Sequence, residues 1–319
     1  MEPGTFDFPQ KTVDAMAAQL EKAGAAVMDY HPFSNSDKWL PVTYNWNQKK
    51  WDYSNESPEP GRPLVLLADW MERMDAGDFR NAGVAEAAAD SLFASLADLD
   101  LDYGGRVGGS NGLYDSNGDL IRQHGAVFNA PLHFIGFGQG AVVNTEIIQR
   151  IGTYFPEAGG LQDSGVRDLM MTTVEPFEYN PETVPQFRDT LARMLDPEIV
   201  VWDNVTYADN YYQVQGSESD NKVLTGKVLG KTRDNPDRRD RADLNYELKD
   251  WAGFDRTKGN DNAHRAAVAW YGGTANLNVN KIPLVREDEE PNPADRQFIF
   301  RRLGDLEDLN DPQKSWYVP

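Results

Sequence analysis

APLHFIGFGQGAVVNTEIIQRIGTYF, Ala130 to Phe155, is the stretch on which the architecture turns. A short apolar run, Leu132, Phe134 and Ile135, reaches glycines at every second position: Gly136, Gly138 and Gly140. Beyond them Val143, Ile147, Ile148, Ile151 and Phe155 recur at three- and four-residue steps, which places them on one helical face. The spacing predicts a strand, a sharp turn and a buried helix. Gly136 and Gly140 stand where such a turn has no room for a Cβ, and the residue between them is Gly138.

The rest of the chain bounds what that unit can belong to. With 319 residues and 40% apolar content, one α/β domain spanning 1–319 with a large core is the simplest expectation. The absence of cysteine excludes a disulfide, a thiolate nucleophile and a Cys-based zinc site. A formal net charge of −20 argues against nucleic acid and anionic membranes as partners. It fits a protein of a salty medium or one that is exported. No apolar run approaches the roughly eighteen residues of a membrane span. Met1-Glu2-Pro3-Gly4 lacks the basic start and apolar segment of a signal peptide, so an exported chain would carry its address elsewhere.

In chain order, Lys11 to Lys22 reads as a helix with Val13, Met16, Ala17 and Leu20 inward, ended by Gly24. Ala25 to Tyr30 is a short strand. Residues 31–62 hold Trp39, Trp46 and Trp51 among Asn, Ser and Pro, and read as a loop pinned by its tryptophans, with carbohydrate stacking as the other use of such rings. Pro63 to Trp70 is a continuous apolar run, as in a central parallel strand. Asn81 is placed to cap a helix from Gly83 to Leu99. Past the central unit, Asp168 to Val174 is a strand, Val184 to Leu195 a helix, and Glu198 to Val205 a strand running into Thr206 to Tyr212. Residues 216–262 are polar, with mixed charges at Asp237 to Arg241, and read as a solvated excursion. The tail 286–319 reads as a surface wrap. Alternating strands and helices of this kind give an α/β class, a mostly parallel sheet with helices on both faces and irregular cap loops at 31–62 and 100–125.

Two glycine-rich stretches resolve as structure. Gly104 to Gly109 lacks the Lys-Ser/Thr of a phosphate loop. Leu113 to Ile121 has the carboxylates Asp115 and Asp119 of a calcium loop, but Gly118 comes too early and the closing glutamate is missing. Asn117-Gly118 between apolar flanks predicts a hairpin instead. No metal and no cofactor are expected.

The chemistry-bearing pattern is the frame G-x-S-x-G, a nucleophile held on a strand-to-helix turn, with Gly138 where the serine belongs. In that scheme an acid and then a histidine follow the nucleophile along the chain, the histidine taking the hydroxyl proton and the acid fixing its tautomer. Asp209, just past an apolar strand, and His264 reproduce the order. Asp203 is the rival acid, inside the strand pattern. His31, His124 and His133 all precede the helix that follows the turn. A capping aspartate and a helix-start histidine are the plain structural alternatives for Asp209 and His264. The backbone N–H of Gln139 is the candidate oxyanion-hole donor, with a second expected from Gly4 to Phe6.

These residues carry a resemblance. The runs EAAADSLFASLADLD, PLHFIGFGQGAVVNTEIIQRIGTYFPEAGG, VWDNVTYADNYYQ and H-x5-WY, across most of the chain from about residue 12 to Pro319, resemble a bacterial family of α/β-hydrolase-like, lipase/esterase-type domains, often parts of large exported proteins. The resemblance implies an α/β-hydrolase fold, a small-molecule carboxylic ester or related acyl substrate, and a Ser-Asp-His triad. Relatives carry His-Ser-Arg between the outer glycines, where this chain has Phe137-Gly138-Gln139, and a histidine in a T-T-x-D/E-P-H segment, where it has Phe177. The expected state is a hydrolase frame without its nucleophile, or a binding or structural module that keeps the cleft. A third reading takes Gly136 to Ala141 as the dinucleotide fingerprint G-x-G-x-x-G/A. It ranks last, because at least two strands precede it and the next strand ends near Glu175, too far along for the ribose-binding acid.

Overall fold

The computed structural model describes residues 7–30, 38–48, 50–54, 56–59, 61–68, 70, 83–107, 122–156, 158–159, 168–178, 196–213, 225–228, 231–232, 242–248, 267 and 271–272. The elements run α1 (Asp7–Lys22), β1 (Ala26–Tyr30), β2 (Trp39–Asn45), β3 (Lys50–Tyr53), β4 (Leu64–Ala68), α2 (Val84–Asp102), β5 (Arg106–Val107), β6 (Arg122–Gln123) and β7 (Leu132–Phe137). They continue with α3 (Gly140–Tyr154), β8 (Leu169–Val174), β9 (Val200–Trp202), β10 (Tyr207–Tyr212), β11 (Thr225–Val228), β12 (Lys231–Thr232) and β13 (Leu244–Glu247).

The later half of the fold is a parallel sheet in the order β13-β10-β8-β7. One face of that sheet, through Leu132, Phe134, Leu169, Met171 and Ala208, joins the main core with α3 and α2. The expected apolar stripe of α3 is the buried one: Val143, Ile147, Ile148 and Ile151 are all at most 3% exposed. The helix ends at Phe155, whose N–H returns to Ile151 O, and Pro156 follows. On the other face Phe137, Val174, Tyr211, Tyr246, Leu248, Ala267 and Tyr271 form a second, smaller cluster. The register of the parallel sheet is pinned on the α3 side by a polar ladder. Thr173 Oγ1 donates to Asn210 Oδ1 at 2.9 Å, and Asn210 Nδ2 donates to Asn245 Oδ1 at 2.9 Å.

The earlier half is a mixed sheet, β3-β2-β1-β4, in which β1 pairs parallel with β4 and antiparallel with β2. Helix α1 covers one face over Ala17, Val27, Val42 and Leu67. Met28, Tyr30 and Trp39 on the other face join the main core. The chain is thus an α/β protein in which a parallel sheet carries helices. The described strands form two four-stranded sheets plus smaller pairings, rather than one continuous sheet.

Several expectations are corrected here. Residues 39–53 form the hairpin β2–β3 instead of a loop; Tyr44 and Trp51 sit opposite each other and meet edge-on at 5.0 Å. Trp51 Nε1 donates to Asp14 Oδ1 at 3.0 Å, while Trp46 at the hairpin tip stays 48% exposed beneath Lys22. Leu20 is 42% exposed because the buried stripe of α1 runs through Met16, Ala17 and Ala18. The N-cap of α2 is Gly83, at φ 80, whose N–H is satisfied by Asp196 Oδ1 at 2.9 Å from a distant segment; Asn81 lies outside the described residues. The polar stretch 216–262 contains the short strands β11, β12 and β13, of which β12 and β13 are sheet edges that need little apolar character, while β11 sits between β12 and β9. The short strands β5 and β6 pair on either side of this stretch, Arg106 with Gln123, while the predicted 113–121 hairpin itself lies outside the described residues. The same holds for Val184 to Leu195, for the charges from Asp237 to Arg241 and for the tail 286–319.

Candidate active site

The predicted strand, turn and helix are present: β7 ends at Phe137, Gly138 takes φ 55, and α3 starts at Gly140. A left-handed φ in the middle of the turn is where glycine is comfortable and a side chain is strained. Gly136 is required by contact. A Cβ there would lie 2.7 Å from Gly140 O, 2.8 Å from Ala141 N and 2.8 Å from Asn144 Nδ2. Gly140 differs from expectation, since a Cβ on it meets nothing within 4 Å. Of the two outer glycines, only the strand-side one is crowded.

Position 138 is held on both sides by the exit of β8. Gly138 N–H donates to Val174 O at 3.0 Å, and Phe177 N–H donates to Gly138 O at 3.2 Å. Gln139 anchors the start of α3: its Nε2 donates to Asp196 Oδ2 at 2.8 Å, and the same buried carboxylate serves Gly83. The backbone N–H of Gln139 makes no hydrogen bond among the described residues. An unpaired N–H at a helix start is what an oxyanion donor requires.

Asp209 does not lie in a loop past a strand. It is inside β10, level with Thr172 and Ile135, three residues before the row of Gly138, or roughly 10 Å down the sheet at ~3.3 Å per residue. Its carboxylate accepts from Thr172 Oγ1 and, at 3.0 Å, from Tyr211 OH. Asp203, the rival, is exposed in the turn after β9, because β9 is only three residues long. His264 and Gly4 to Phe6 lie outside the described residues.

Sequence reading missed a network around Asp209. His133 Nε2 meets Thr172 Oγ1 at 2.8 Å. Since the Thr172 hydroxyl proton goes to Asp209, His133 must donate, which assigns it the Nε2–H tautomer. Burial holds the His133 pKa below its ordinary value, against the opposing charges of Asp209 and Asp168. Burial, and then Asp209, push the Tyr211 phenol up, so it stays a neutral donor. A depressed histidine pKa contributes stability that is present above the ordinary range near 6.5 and is lost as pH falls below it. His133→Gln is therefore expected to flatten the loss of stability between pH 7 and pH 5 in urea unfolding. Equal slopes in parent and variant would count against the neutral His133. His124, the other described histidine, packs against Phe128 and Phe155.

Two further buried carboxylates sit where the parallel strands end. Glu175, fully buried at φ 55, receives Gln213 N–H at 2.8 Å and Gln213 Nε2 at 3.0 Å. Glu178 receives Ile199 N–H at 2.6 Å. The signal for Glu175 in the sequence is thin: a glutamate between the end of an apolar strand and Pro176. Among the described residues no group of His, Asp or Glu could hold a metal ion, and no helix is long and apolar enough to cross a membrane.

No family model matches the chain, and no curated protein matches it. Among solved structures it is similar to "the putative cell surface hydrolase from Lactobacillus plantarum WCFS1", at 12% identity and a TM-score of 0.37 over 92% of this chain and 94% of that one. A likeness that weak decides neither fold nor activity.

Proposed function

We propose that this chain has an α/β-hydrolase fold of the esterase/lipase type whose nucleophile seat is filled by Gly138, so that it binds an ester or related acyl ligand above the turn without cleaving it. The observation that carries the reading is the turn itself: Gly138 at φ 55 between a parallel strand and a buried helix, with Gly136 packed too tightly against Gly140 and Ala141 for any side chain. The unpaired Gln139 N–H supports it, as a free donor at the helix start next to position 138. The dinucleotide reading fares worse, because the acidic residue ending the next strand, Glu175, is buried and bonded to Gln213. Asp209 and His264 enter this reading as the sequence-based acid and base, and the mid-strand position of Asp209 weighs against its half of the pair.

The test is Gly138→Ser, assayed for p-nitrophenyl ester hydrolysis and for labelling by a fluorophosphonate. A folded variant that gains both supports the hydrolase frame. One that folds yet stays inert and unlabelled sinks the catalytic frame and leaves a non-catalytic binding or structural module that keeps the cleft.

A further inference from the structure

Helices α2 and α3 both start at a glycine of left-handed φ, Gly83 at 80 in the cap of α2 and Gly138 at 55 just before the cap of α3. Neither start is capped by its own side chain. Glutamine caps poorly, and α3 has no acidic residue in its first turn. One carboxylate from a distant segment serves both helices. Asp196, 7% exposed, accepts from Gly83 N–H through Oδ1 and from Gln139 Nε2 through Oδ2. A carboxylate buried that far is costly without such donors.

The shared bond falls on the residue that matters to the turn. Gly138 O accepts from Phe177 N–H at 3.2 Å and from Ala141 N–H at 3.1 Å. The trans peptide is planar, so the Gln139 N–H in the same plane points the opposite way, away from the exit of β8. The first donors of a helix have no intrahelical partner that could hold them. Beyond the peptide plane, residue 139 is held by Val142 N–H on its carbonyl at 3.0 Å and by Asp196 on its side chain. The aspartate therefore restrains the free N–H beside position 138 without touching it, and locks that N–H to the start of α2.

From this geometry we infer that Asp196 is the positioning residue of the oxyanion donor, acting through the side-chain amide of Gln139. The inference rests on the hydrolase reading above. It is tested in the Gly138→Ser protein with p-nitrophenyl butyrate, counting kcat per serine labelled by a fluorophosphonate so that misfolded molecules drop out. Asp196→Ala is expected to lower that kcat by roughly 10–10²-fold with KM little changed, because a displaced donor is missed in the transition state rather than on binding. Asp196→Asn should restore most of the rate. Its amide oxygen still accepts from Gly83, and its NH2 donates to the Gln139 amide once that is turned over. Gln139→Leu cuts the same bond from the other end and keeps the contact with Gly83. It should match Asp196→Ala, and the double variant should lose no more than Asp196→Ala alone.

An unchanged kcat per labelled serine in Asp196→Ala overturns the assignment. So does a loss confined to KM, or losses that multiply in the double variant. Should Asp196→Ala fail to fold, Gln139→Leu decides: full activity there refutes the role, and a lowered kcat supports it. An inert, folded Gly138→Ser protein overturns the hydrolase reading and this inference together. An active one indifferent to Asp196 and to the Gln139 side chain overturns this inference alone.

Discussion

Gly138→Ser is expected to raise hydrolysis of p-nitrophenyl acetate and butyrate by several orders of magnitude over the parent chain, while making the protein slightly less stable. The gain comes from covalent catalysis. Oγ bonds to the ester carbonyl carbon as its proton passes to the base, p-nitrophenolate leaves, and water then cleaves the acyl-serine and returns the proton. On the proposed reading the oxyanion formed on the way would be met by the N–H of Gln139, at the start of α3. The loss in stability comes from the backbone. Position 138 is at φ 55, where a side chain costs about 1–2 kcal/mol that glycine avoids. Activity and melting temperature should therefore move in opposite directions, the usual exchange at a strained site. A serine variant more stable than its parent would mean that the turn relaxes to a different backbone, and the mechanism would lose its geometric basis.

Gly136→Ala should be the most damaging small substitution in the turn, at about 3 kcal/mol, and Gly140→Ala should be close to neutral. The new methyl at 136 meets backbone atoms, Gly140 O at 2.7 Å and Ala141 N at 2.8 Å, which cannot swing aside as a side chain end could. Relief requires α3 to lift from β7, and α3 carries the fully buried Ile148 and Val142 of the main core. At 140 the methyl meets nothing within 4 Å, and alanine favours the helix over glycine by about 1 kcal/mol. Urea unfolding of the two variants gives the comparison directly. Equal destabilisation at both positions would show that the glycines are kept for chain flexibility rather than for close packing.

The central unit was legible because its signals are local. Glycines two apart and apolar residues three and four apart fix a strand, a turn and a helix without reference to anything distant. The hairpin at 39–53 was hidden because Pro41 and the polar Asn45, Asn47 and Gln48 imitate a loop, while the cross-strand contact of Tyr44 with Trp51 is not written in either half alone. Asp209 looked like a residue past a strand because the apolar run before it reads as continuous. In fact β9 stops at Trp202, and β10 begins at Tyr207 with Asp209 in its middle. Glu175 and Asp196 were invisible for a different reason. A positive φ, or a carboxylate shared between Gly83 and Gln139, depends on where remote segments come to rest. Expectations for His264 and for Gly4 to Phe6 concern positions outside the described residues.

The unlike construction of the two sheets has a kinetic consequence. β1, β2 and β3 follow one another along the chain and pair antiparallel, so closing them costs only short loops. β7, β8 and β10 pair parallel, and each pairing must wait for an intervening crossover, the first of them built on α3. Contacts made between distant parts of a chain form late. Pulsed hydrogen exchange during refolding should therefore protect the amides of Val42 and Asp52 before those of Met171 and Asn210. The turn at Gly138, tied to Val174 and Phe177, would then be among the last features to close. Simultaneous protection of all four amides would mean that the chain collapses as one unit and that the order of pairing leaves no trace in time.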